Sequence, residues 1–486
     1  MRTQLPEAPA GPVDLEAWEA DAHRRRRAWA AVCVAAASSF LFVVDSGFLA
    51  LTLPKIEAEY PHVHRSVIEW VATSFMVMQA SLLLIAGRMG DKGGRKKFFL
   101  IGLVAFSCGS LFTALAPNLP AIIAARAFTG AAAAFLTAGT LAIVLPMFPS
   151  AKAGEAVGIW GAVASVAGWL TPLIGPWLVH DNWRWAFAVL APIGFGVAIV
   201  GLRLLPEQFG DQEPGPTDKV SLVVGPPALG LLMLVLSNGR VWGWTSATTV
   251  LIGALVAGLL ATLVHRSRHF PQPLLDLELL RYRGYTANIT GGVLQQAGFF
   301  AFWITGPLIM TSIWHWSIME VGLAMATTQL FSSVGSPLAG RLVSRFGYRD
   351  LAIAGGLFVA VAMAWLALTS SSTPNLWGGF VPAALLFGLG CSMCGTLTSG
   401  GALAALPAGR LGAGNSLQQL VRRMGGAIGV ALAYVFLGDA KGTELLAGGR
   451  RVWWMVAAVH LILIVPLLAG GPSRPRGDEG QPPAAR

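Results

Sequence analysis

Residues 87–97 read Gly-Arg-Met-Gly-Asp-Lys-Gly-Gly-Arg-Lys-Lys and form a short polar stretch between two long apolar runs. The stretch holds five cationic side chains, one acid and four glycines. It is too short to be a domain and too highly charged to lie in lipid. We therefore interpret it as a connection between two membrane spans.

A weaker copy occurs at residues 340–349, which read Gly-Arg-Leu-Val-Ser-Arg-Phe-Gly-Tyr-Arg. In both copies a second glycine follows seven residues after the glycine of a Gly-Arg pair, at Gly87 and Gly94 and at Gly340 and Gly347. Internal repeats of this kind are typical of transporters built from two related halves. The repeat predicts two bundles of helices.

The composition supports a membrane protein. Charged residues make up 12% of the 486-residue chain and hydrophobic residues 55%, whereas a soluble protein carries about 25% charged residues. The net charge of +10 could indicate nucleic-acid binding, but in a membrane protein positive residues hold loops in the cytoplasm. We expect no nucleic-acid partner.

Fourteen apolar runs are long enough to cross a bilayer as helices, which takes about 20 residues each. With the termini and alternate loops assigned to the cytoplasm, that side holds more than three times as many Lys and Arg residues as the other. The bias predicts a multi-pass protein of the cell inner (plasma) membrane with both termini in the cytoplasm. We expect it to be monomeric.

The two Gly-Arg segments follow the second and the tenth run, so the halves are offset by eight spans rather than six. This predicts an all-α fold of fourteen transmembrane helices in a 6 + 2 + 6 arrangement. Within 206–286, residues 277–281 resemble a short amphipathic helix. The expected parts are an N-terminal tail (1–27), a six-helix bundle (28–205), two extra helices with flanking linkers (206–286), a second six-helix bundle (287–470) and a C-terminal tail (471–486).

Asp45 is the one acid deep within an apolar run, where an ionisable group is costly and suggests function. It lies about 13 Å below the outer end of the first span, and Arg126 lies about 10 Å below the outer end of the fourth. The two could therefore pair at one level. A change of conformation that separated them would shift the proton affinity of the acid. The alternative is a static pair that only holds the two spans together.

Several uncharged polar or irregular positions also lie within spans. Four glutamines could line a substrate cavity or merely bond between helices: Gln79, Gln295, Gln296 and Gln329. Two glycines and two prolines are expected to break the fifth span and form a kinked gate helix: Gly168, Pro172, Gly175 and Pro176.

No pattern in the chain indicates an enzyme. It contains no nucleotide-binding loop and no histidine cluster with metal-ligand spacing, so we predict no catalytic residue, no metal and no cofactor, only a proton gradient as the drive. Cys391 and Cys394 form a Cys-x-x-Cys pattern within a glycine-rich apolar run. We interpret them as small buried side chains rather than as a redox or metal pair.

The pattern resembles the major facilitator superfamily, and within it the fourteen-span drug:proton antiporters, from about residue 30 to 470. Residues 87–97 resemble its signature Gly-x-Leu-x-Asp-Arg-x-Gly-Arg-Lys-Lys, with Met89 and Lys92 as the departures. Arg126 with Gly130 resembles the fourth-span Arg-x-x-x-Gly element. Asp45 with Pro54 resembles the first-span Asp…Ala-Leu-Pro element, and residues 183–187 resemble the Trp-Arg-Trp-x-Phe that precedes the sixth span.

The fifth-span segment resembles the antiporter signature Gly-x-x-x-Gly-Pro-x-x-Gly-Gly, but Thr171 replaces one glycine and Pro176 another. The resemblance implies that two six-helix bundles rock about a central cavity. It implies proton coupling by Asp45 and Arg126. It also implies a conformational latch in which Asp91 engages the second half near the start of span thirteen. The latch residues are Gly87, Asp91, Gly94, Arg95 and Lys96.

The leading hypothesis is a proton-driven exporter of hydrophobic, cationic or amphipathic small molecules such as drugs or antibiotics. A narrow-specificity exporter of one secondary metabolite fits the same residues. An importer that works by proton symport and a sensor or scaffold with a transporter-like fold are further alternatives.

Overall fold

The computed structural model describes residues 15–471 except residues 64, 69, 208–217, 271–272, 408–409 and 438–441. Most of the two predicted tails and of the linker 206–219 therefore lies outside the described residues. The α-helices are α1 (Leu15–Ala20), α2 (Ala22–Glu59), α3 (Arg65–Ile68), α4 (Trp70–Gly93), α5 (Arg95–Leu115), α6 (Leu119–Val144), α7 (Ser150–Val179), α8 (Arg184–Ala188), α9 (Leu190–Leu204), α10 (Lys219–Trp242), α11 (Ala247–His269), α12 (Arg283–Ser312), α13 (Ile318–Thr369), α14 (Val381–Ala404), α15 (Leu411–Leu437), α16 (Gly442–Ile462) and α17 (Ile464–Ala469).

In the described part of the chain every regular element is helical, as the sequence predicted. Thirteen helical segments are long and apolar enough to cross a membrane, and one of these, Met319–Thr369, has 51 residues. Its backbone leaves the helical region at Gly347, so it consists of two helices in succession. The structure is therefore compatible with fourteen spans.

The repeated glycine has a conformational reason. Gly94 has φ 99° and Gly347 has φ 82°, a region that side chains with a Cβ rarely adopt. Residues 87–97 were expected to be a loop, but α4 continues to Gly93 and α5 begins at Arg95, so only Gly94 is non-helical. A single glycine reverses the chain between two spans at both copies of the repeat.

Two further boundaries differ from the prediction. The last long helix, α16, begins at Gly442, ten residues before the predicted start of the final span. Arg450 and Arg451 therefore lie within a helix rather than in a loop. The extension could not be predicted from the sequence, because charged residues interrupt its apolar pattern. In the structure, Gly448 and Gly449 let this part of the helix pack closely against Phe436 and Ile309.

The fifth span is not broken. Helix α7 runs without interruption from Ser150 to Val179, through all four residues that were expected to break it. A proline removes one helical hydrogen bond, yet α7 continues through both prolines while it packs against α2 and α13. The gate role of this helix stays a prediction.

The two helices between the repeat halves, α10 and α11, pack against each other, and α10 also packs against α4. Gly230 of α10 makes this possible, because a methyl group there would overlap with the Ser81 hydroxyl. Helix α11 is mostly exposed and apolar, with Leu251 at 70% and Val250 at 56% exposure. Such a surface suits lipid contact.

The two halves meet chiefly where α7 packs along the first part of α13. A Cβ at Gly158 would lie 2.8 Å from the carbonyl oxygen of Ser336 and 3.0 Å from the Cα of Gly340. Only glycine allows the backbones to approach this closely. Gly340 of the second repeat copy thus lies in the contact between the halves.

Candidate functional site

Asp45 of α2 and Arg126 of α6 form a buried ion pair. The Nη1 atom of Arg126 donates to both carboxylate oxygens of Asp45, at 2.8 and 3.0 Å, and both side chains are 0% exposed. The two residues are 81 positions apart in the chain. They meet at one level, as the depth of each in its span predicted. Their role in proton coupling stays a prediction.

Aromatic rings cover the rest of the Arg126 guanidinium. Its central carbon lies 4.6 Å from the ring centroid of Phe75 and 5.3 Å from that of Phe187. Its Nε and Nη2 atoms are buried and have no hydrogen-bond partner among the described residues. Among the described residues, Asp45 is therefore the acid that balances the charge of Arg126. The faces of the two rings add a weaker electrostatic attraction.

Gly130 explains how Phe75 reaches Arg126. It lies one turn after Arg126 on α6, and a methyl group at this position would overlap with the carbonyl oxygen of Phe75. The missing side chain lets α4 and α6 approach closely enough for the Phe75 ring to cover the guanidinium. The spacing of the Arg-x-x-x-Gly element thus follows from packing.

Gly130→Ala is expected to destabilise the protein by about 1–3 kcal/mol, the usual cost of overpacking. The overlap is with backbone, so α4 must move. Thermal unfolding in detergent measures the effect. Gly253→Ala is the matched control, because a Cβ there meets nothing within 4 Å. Equal melting temperatures for the two variants would contradict the packing role of Gly130.

The Trp-Arg-Trp-x-Phe segment connects the outer ends of three helices. Trp183 donates to Glu59 at 2.6 Å, and Arg184 donates to both Glu59 oxygens, at 2.9 and 3.1 Å. Arg184 also donates to the carbonyl of Ala116 at 3.3 Å. The Arg184 hydrogen bonds, aided by Trp183, hold the pKa of Glu59 below its ordinary value despite partial burial. The segment thereby positions Phe187 against Arg126.

The lowered pKa of Glu59 has a consequence for stability. A carboxyl group whose pKa is lower in the folded protein stabilises the fold above its unfolded pKa and loses that contribution as the pH falls through its folded pKa. Because Glu59 is 35% exposed, we expect only about 0.5–1 kcal/mol. The melting temperature of Glu59→Gln should lie below that of the unchanged protein at pH 7, and the gap should close near pH 3. A gap independent of pH would contradict this origin.

Asp91 connects the two halves at the end of the molecule predicted to face the cytoplasm. Its Oδ1 accepts from Nε of Arg95 at 2.8 Å, and its Oδ2 accepts from the backbone N–H of Ala413 at 2.9 Å. Asp91 and Arg95 are each 3% exposed. Ala413 lies in the first turn of α15, where the helix dipole favours an anion. Of these two bonds of Asp91, the one from Ala413 crosses between the halves.

Close packing surrounds this contact. A methyl group on Gly412 would overlap with the Asp91 carboxylate, and one on Gly87 would overlap with the Ser416 hydroxyl. Asn415 donates to the carbonyls of Thr137 and Ala138, both at 3.0 Å. In contrast, the other predicted latch residue, Lys96, bonds within the first half, to the carbonyl of Leu202 at 2.8 Å. The close contact between the halves at Asp91 therefore depends on glycines of both α4 and α15, and its role as a latch stays a prediction.

The extra helices and the segment that follows them form ion pairs at the same end of the molecule. Asp218, before α10, pairs with Arg266 of α11 at 2.9 Å.

Residues 277–281 form the predicted short helix, a 3₁₀ turn. Arg410, before α15, pairs with Glu278 at 3.0 Å and Asp276 at 3.5 Å. Burial raises the pKa of Asp276, and Arg410 opposes this. The segment after the extra helices thus holds the start of α15.

Three of the four predicted gate residues lie against α2 or α13. Methyl groups at Gly168 and Gly175 would overlap with Gln329 of α13 and Leu51 of α2 respectively. Pro172 faces Gly322, with 3.7 Å between its Cβ and an added Cβ there. Pro176 lies in the last turns of α7. Helix α7 therefore packs between α2 and α13.

The four glutamines differ in surroundings. Gln79 is fully buried, and its amide atoms have no hydrogen-bond partner in the described residues. Gln295 and Gln296 both accept hydrogen bonds from Arg422, at 3.1 Å each. Gln329 is partly exposed beside Gly168. Whether any of them contacts substrate stays a prediction.

Arg422 and Arg423 have no role among the predictions from the sequence. Both lie within span thirteen by the hydropathy pattern, which was the available signal. No acid lies deep in a span of the second half, so these arginines, unlike Arg126, had no predicted partner.

The described residues contain no group of three or more His, Cys, Asp or Glu side chains placed to hold a metal ion. Cys391 and Cys394 are buried free thiols, in agreement with the structural interpretation. Cys391 accepts a hydrogen bond from Gln295 at 3.1 Å.

The comparisons with known proteins identify the family. The family model described as Major Facilitator Superfamily matches residues 35–280 and 289–486. The chain belongs to the Major Facilitator Superfamily. The resemblance inferred from residues 87–97 and Arg126 is thereby confirmed.

Curated relatives of this superfamily member extend over most of its length. It is 25% identical over 450 residues to the riboflavin transporter RibZ of Clostridioides difficile (strain 630), covering 90% of this chain and 97% of RibZ. It is 26% identical over 449 residues to the tetracenomycin C resistance and export protein of Streptomyces glaucescens, covering 91% and 81%.

Among solved structures, the proton:xylose symporter XylE bound to 6-bromo-6-deoxy-D-glucose matches this superfamily member with a TM-score of 0.66. The match covers 93% of this chain and 98% of XylE, at 13% sequence identity. At this identity the likeness shows the fold alone.

Proposed function

We propose that this protein is a proton-driven exporter of hydrophobic or amphipathic small molecules in the cell inner membrane, with both termini in the cytoplasm. The observation that carries the proposal is the buried ion pair of Asp45 and Arg126 at membrane depth. The export function of the tetracenomycin C relative supports the direction of transport.

The pair provides a means of coupling. A proton that binds Asp45 removes the counter-charge of Arg126, and a buried cation without its partner is costly. The protonated site then favours a conformation in which Arg126 finds other partners or water. Loss of the proton to the cytoplasm restores the pair, so one cycle carries one proton inward through this site.

The contacts at the predicted cytoplasmic end support alternating access. Asp91, Asn415 and Gly87 join the halves there through the start of α15 and the helices α4 and α6. These contacts must separate before a substrate can enter from the cytoplasm. We infer that the arrangement described is the one closed to the cytoplasm.

Purified protein in proteoliposomes that enclose a pH-sensitive dye tests the proposal. A panel of unrelated drugs and antibiotics is added under a pH gradient, and empty liposomes serve as the control. We expect some compounds to trigger proton movement only in vesicles that contain the protein. Compound transport without any proton movement would contradict proton coupling.

A further inference from the structure

Two adjacent arginines, Arg422 and Arg423, lie in the middle of α15. They are eleven and twelve residues after its first residue, Leu411, which corresponds to about 17 Å of helix. Cations at this depth are costly and normally pair with an acid or with backbone carbonyls. Neither arginine forms an ion pair with any residue that the structure describes.

Arg422 is held in place by neutral groups. Its Nη2 atom donates to the side-chain oxygens of Gln295 and Gln296, and its Nη1 atom donates to the carbonyl of Gly395 at 3.3 Å and to the Ser399 hydroxyl. These acceptors come from α12 and α14. They orient the guanidinium, but they do not neutralise its charge.

Arg423 points across to the other half. Its guanidinium carbon lies 5.2 Å from the ring centroid of Phe42 on α2. Its Nε atom is buried and has no hydrogen-bond partner in the described residues. Arg423 and Phe42 are both partly exposed, so their contact between the halves is not fully buried.

The Arg423 contact is connected to the buried ion pair. The Phe42 ring lies 6.1 Å from the ring of Phe75, which in turn covers Arg126. Asp45 is the acid of this region, and its carboxylate is fully engaged by Arg126. Among the described residues, Arg423 at the boundary and Arg422 beside it therefore carry two positive charges without an acid to balance them.

We propose that Arg422 and Arg423 form an anion subsite and that the exported molecules are aromatic carboxylates or phenolates. This inference rests on the proposed export function and replaces the cationic substrates expected from the sequence. Arg423 and Phe42 together offer a charge and a ring face to a flat aromatic acid. Such a site repels organic cations.

The charge of the substrate also determines how transport responds to voltage. Exchange of one monovalent anion leaving the cell for one proton entering moves two positive charges inward. A potential that is negative inside therefore drives this exchange, whereas one-for-one exchange of a monovalent cation for a proton moves no net charge.

Two xanthene dyes of similar ring structure and opposite charge, fluorescein and rhodamine 6G, test the subsite. Their binding to the purified full-length protein is measured by fluorescence anisotropy. We expect fluorescein to bind at least tenfold more tightly than rhodamine 6G. Arg423→Gln and Arg422→Gln should each weaken fluorescein binding at least tenfold and change rhodamine 6G binding less than twofold.

Arg423→Lys keeps the charge and should retain part of the fluorescein affinity, which separates a binding role from a folding role. The matched control is Arg451→Gln, which removes one exposed arginine of α16 and should leave both affinities unchanged. Tighter binding of rhodamine 6G, or equal losses for both dyes in Arg423→Gln, would overturn the subsite.

The same dyes in proteoliposomes distinguish the two proposals. Proton movement driven by fluorescein and enhanced by an inside-negative potential supports both. Proton movement driven by rhodamine 6G while fluorescein is inert would overturn the subsite and leave the exporter intact. Absence of proton movement with either dye and with the drug panel would contradict the exporter itself.

Discussion

Asp45→Asn is expected to abolish substrate-driven proton movement in proteoliposomes, with a loss of at least a hundredfold. The amide has nearly the same shape as the carboxylate and can still accept a hydrogen bond from Arg126, but it cannot take up a proton at any physiological pH. Compound binding in detergent should persist, because the substitution removes the coupling group rather than the fold.

The control for this prediction is Asp181→Asn, which removes a carboxylate that is 92% exposed. It should leave proton movement unchanged. Undiminished proton movement in Asp45→Asn would contradict the assignment of Asp45 as the coupling residue. Either substitution breaks the buried ion pair, at a cost of about 3–5 kcal/mol in stability. Arg126→Ala is the poorer test, because it also removes both hydrogen bonds that Asp45 accepts, whereas the amide of Asp45→Asn still accepts one from Arg126.

Asp91→Asn is expected to open the predicted cytoplasmic end. Its ion pair with Arg95 lies within the first half, whereas its hydrogen bond from Ala413 joins the halves and must break when this end opens. A hydrogen bond to a charged group contributes about 1.5–3 kcal/mol. The amide of the variant has one acceptor oxygen where the carboxylate has two, so it cannot accept from both Arg95 and Ala413. Loss of the Ala413 bond should shift the population towards the open state by about ten- to a hundredfold.

Alkylation of a reporter cysteine measures this shift. Thr137, 8% exposed and joined to Asn415 through its carbonyl, is replaced by cysteine in a chain whose Cys33 and Cys108 are changed to serine. The rate of reaction with N-ethylmaleimide should rise about tenfold or more in Asp91→Asn. Asp350→Asn, which removes a carboxylate that is 58% exposed, is the matched control. Equal rates in the two variants would show that Asp91 does not hold this end closed.

Much of the Asp45–Arg126 site could be predicted from the sequence because charge within an apolar run is rare and its depth follows from helix geometry. The aromatic cover of Arg126 could not be predicted. Nothing local marks Phe75 among the 24 phenylalanines, and the Trp-Arg-Trp-x-Phe segment that contains Phe187 does not show which residue that ring contacts. Helix ends were predicted less well where glycines or charges interrupt the hydropathy pattern, as at α16.

The sequence by itself determined the helical membrane fold, the two related halves and the membrane depth of each intramembrane charge, because hydropathy and charge are properties of short segments. Only the tertiary structure decided which of these charges are paired. Arg126 meets an acid, whereas Arg422 and Arg423 meet glutamines, a hydroxyl, a carbonyl and a ring. The physical reason is that such pairing depends on the packing of helices that lie far apart in the chain, and no local pattern encodes it.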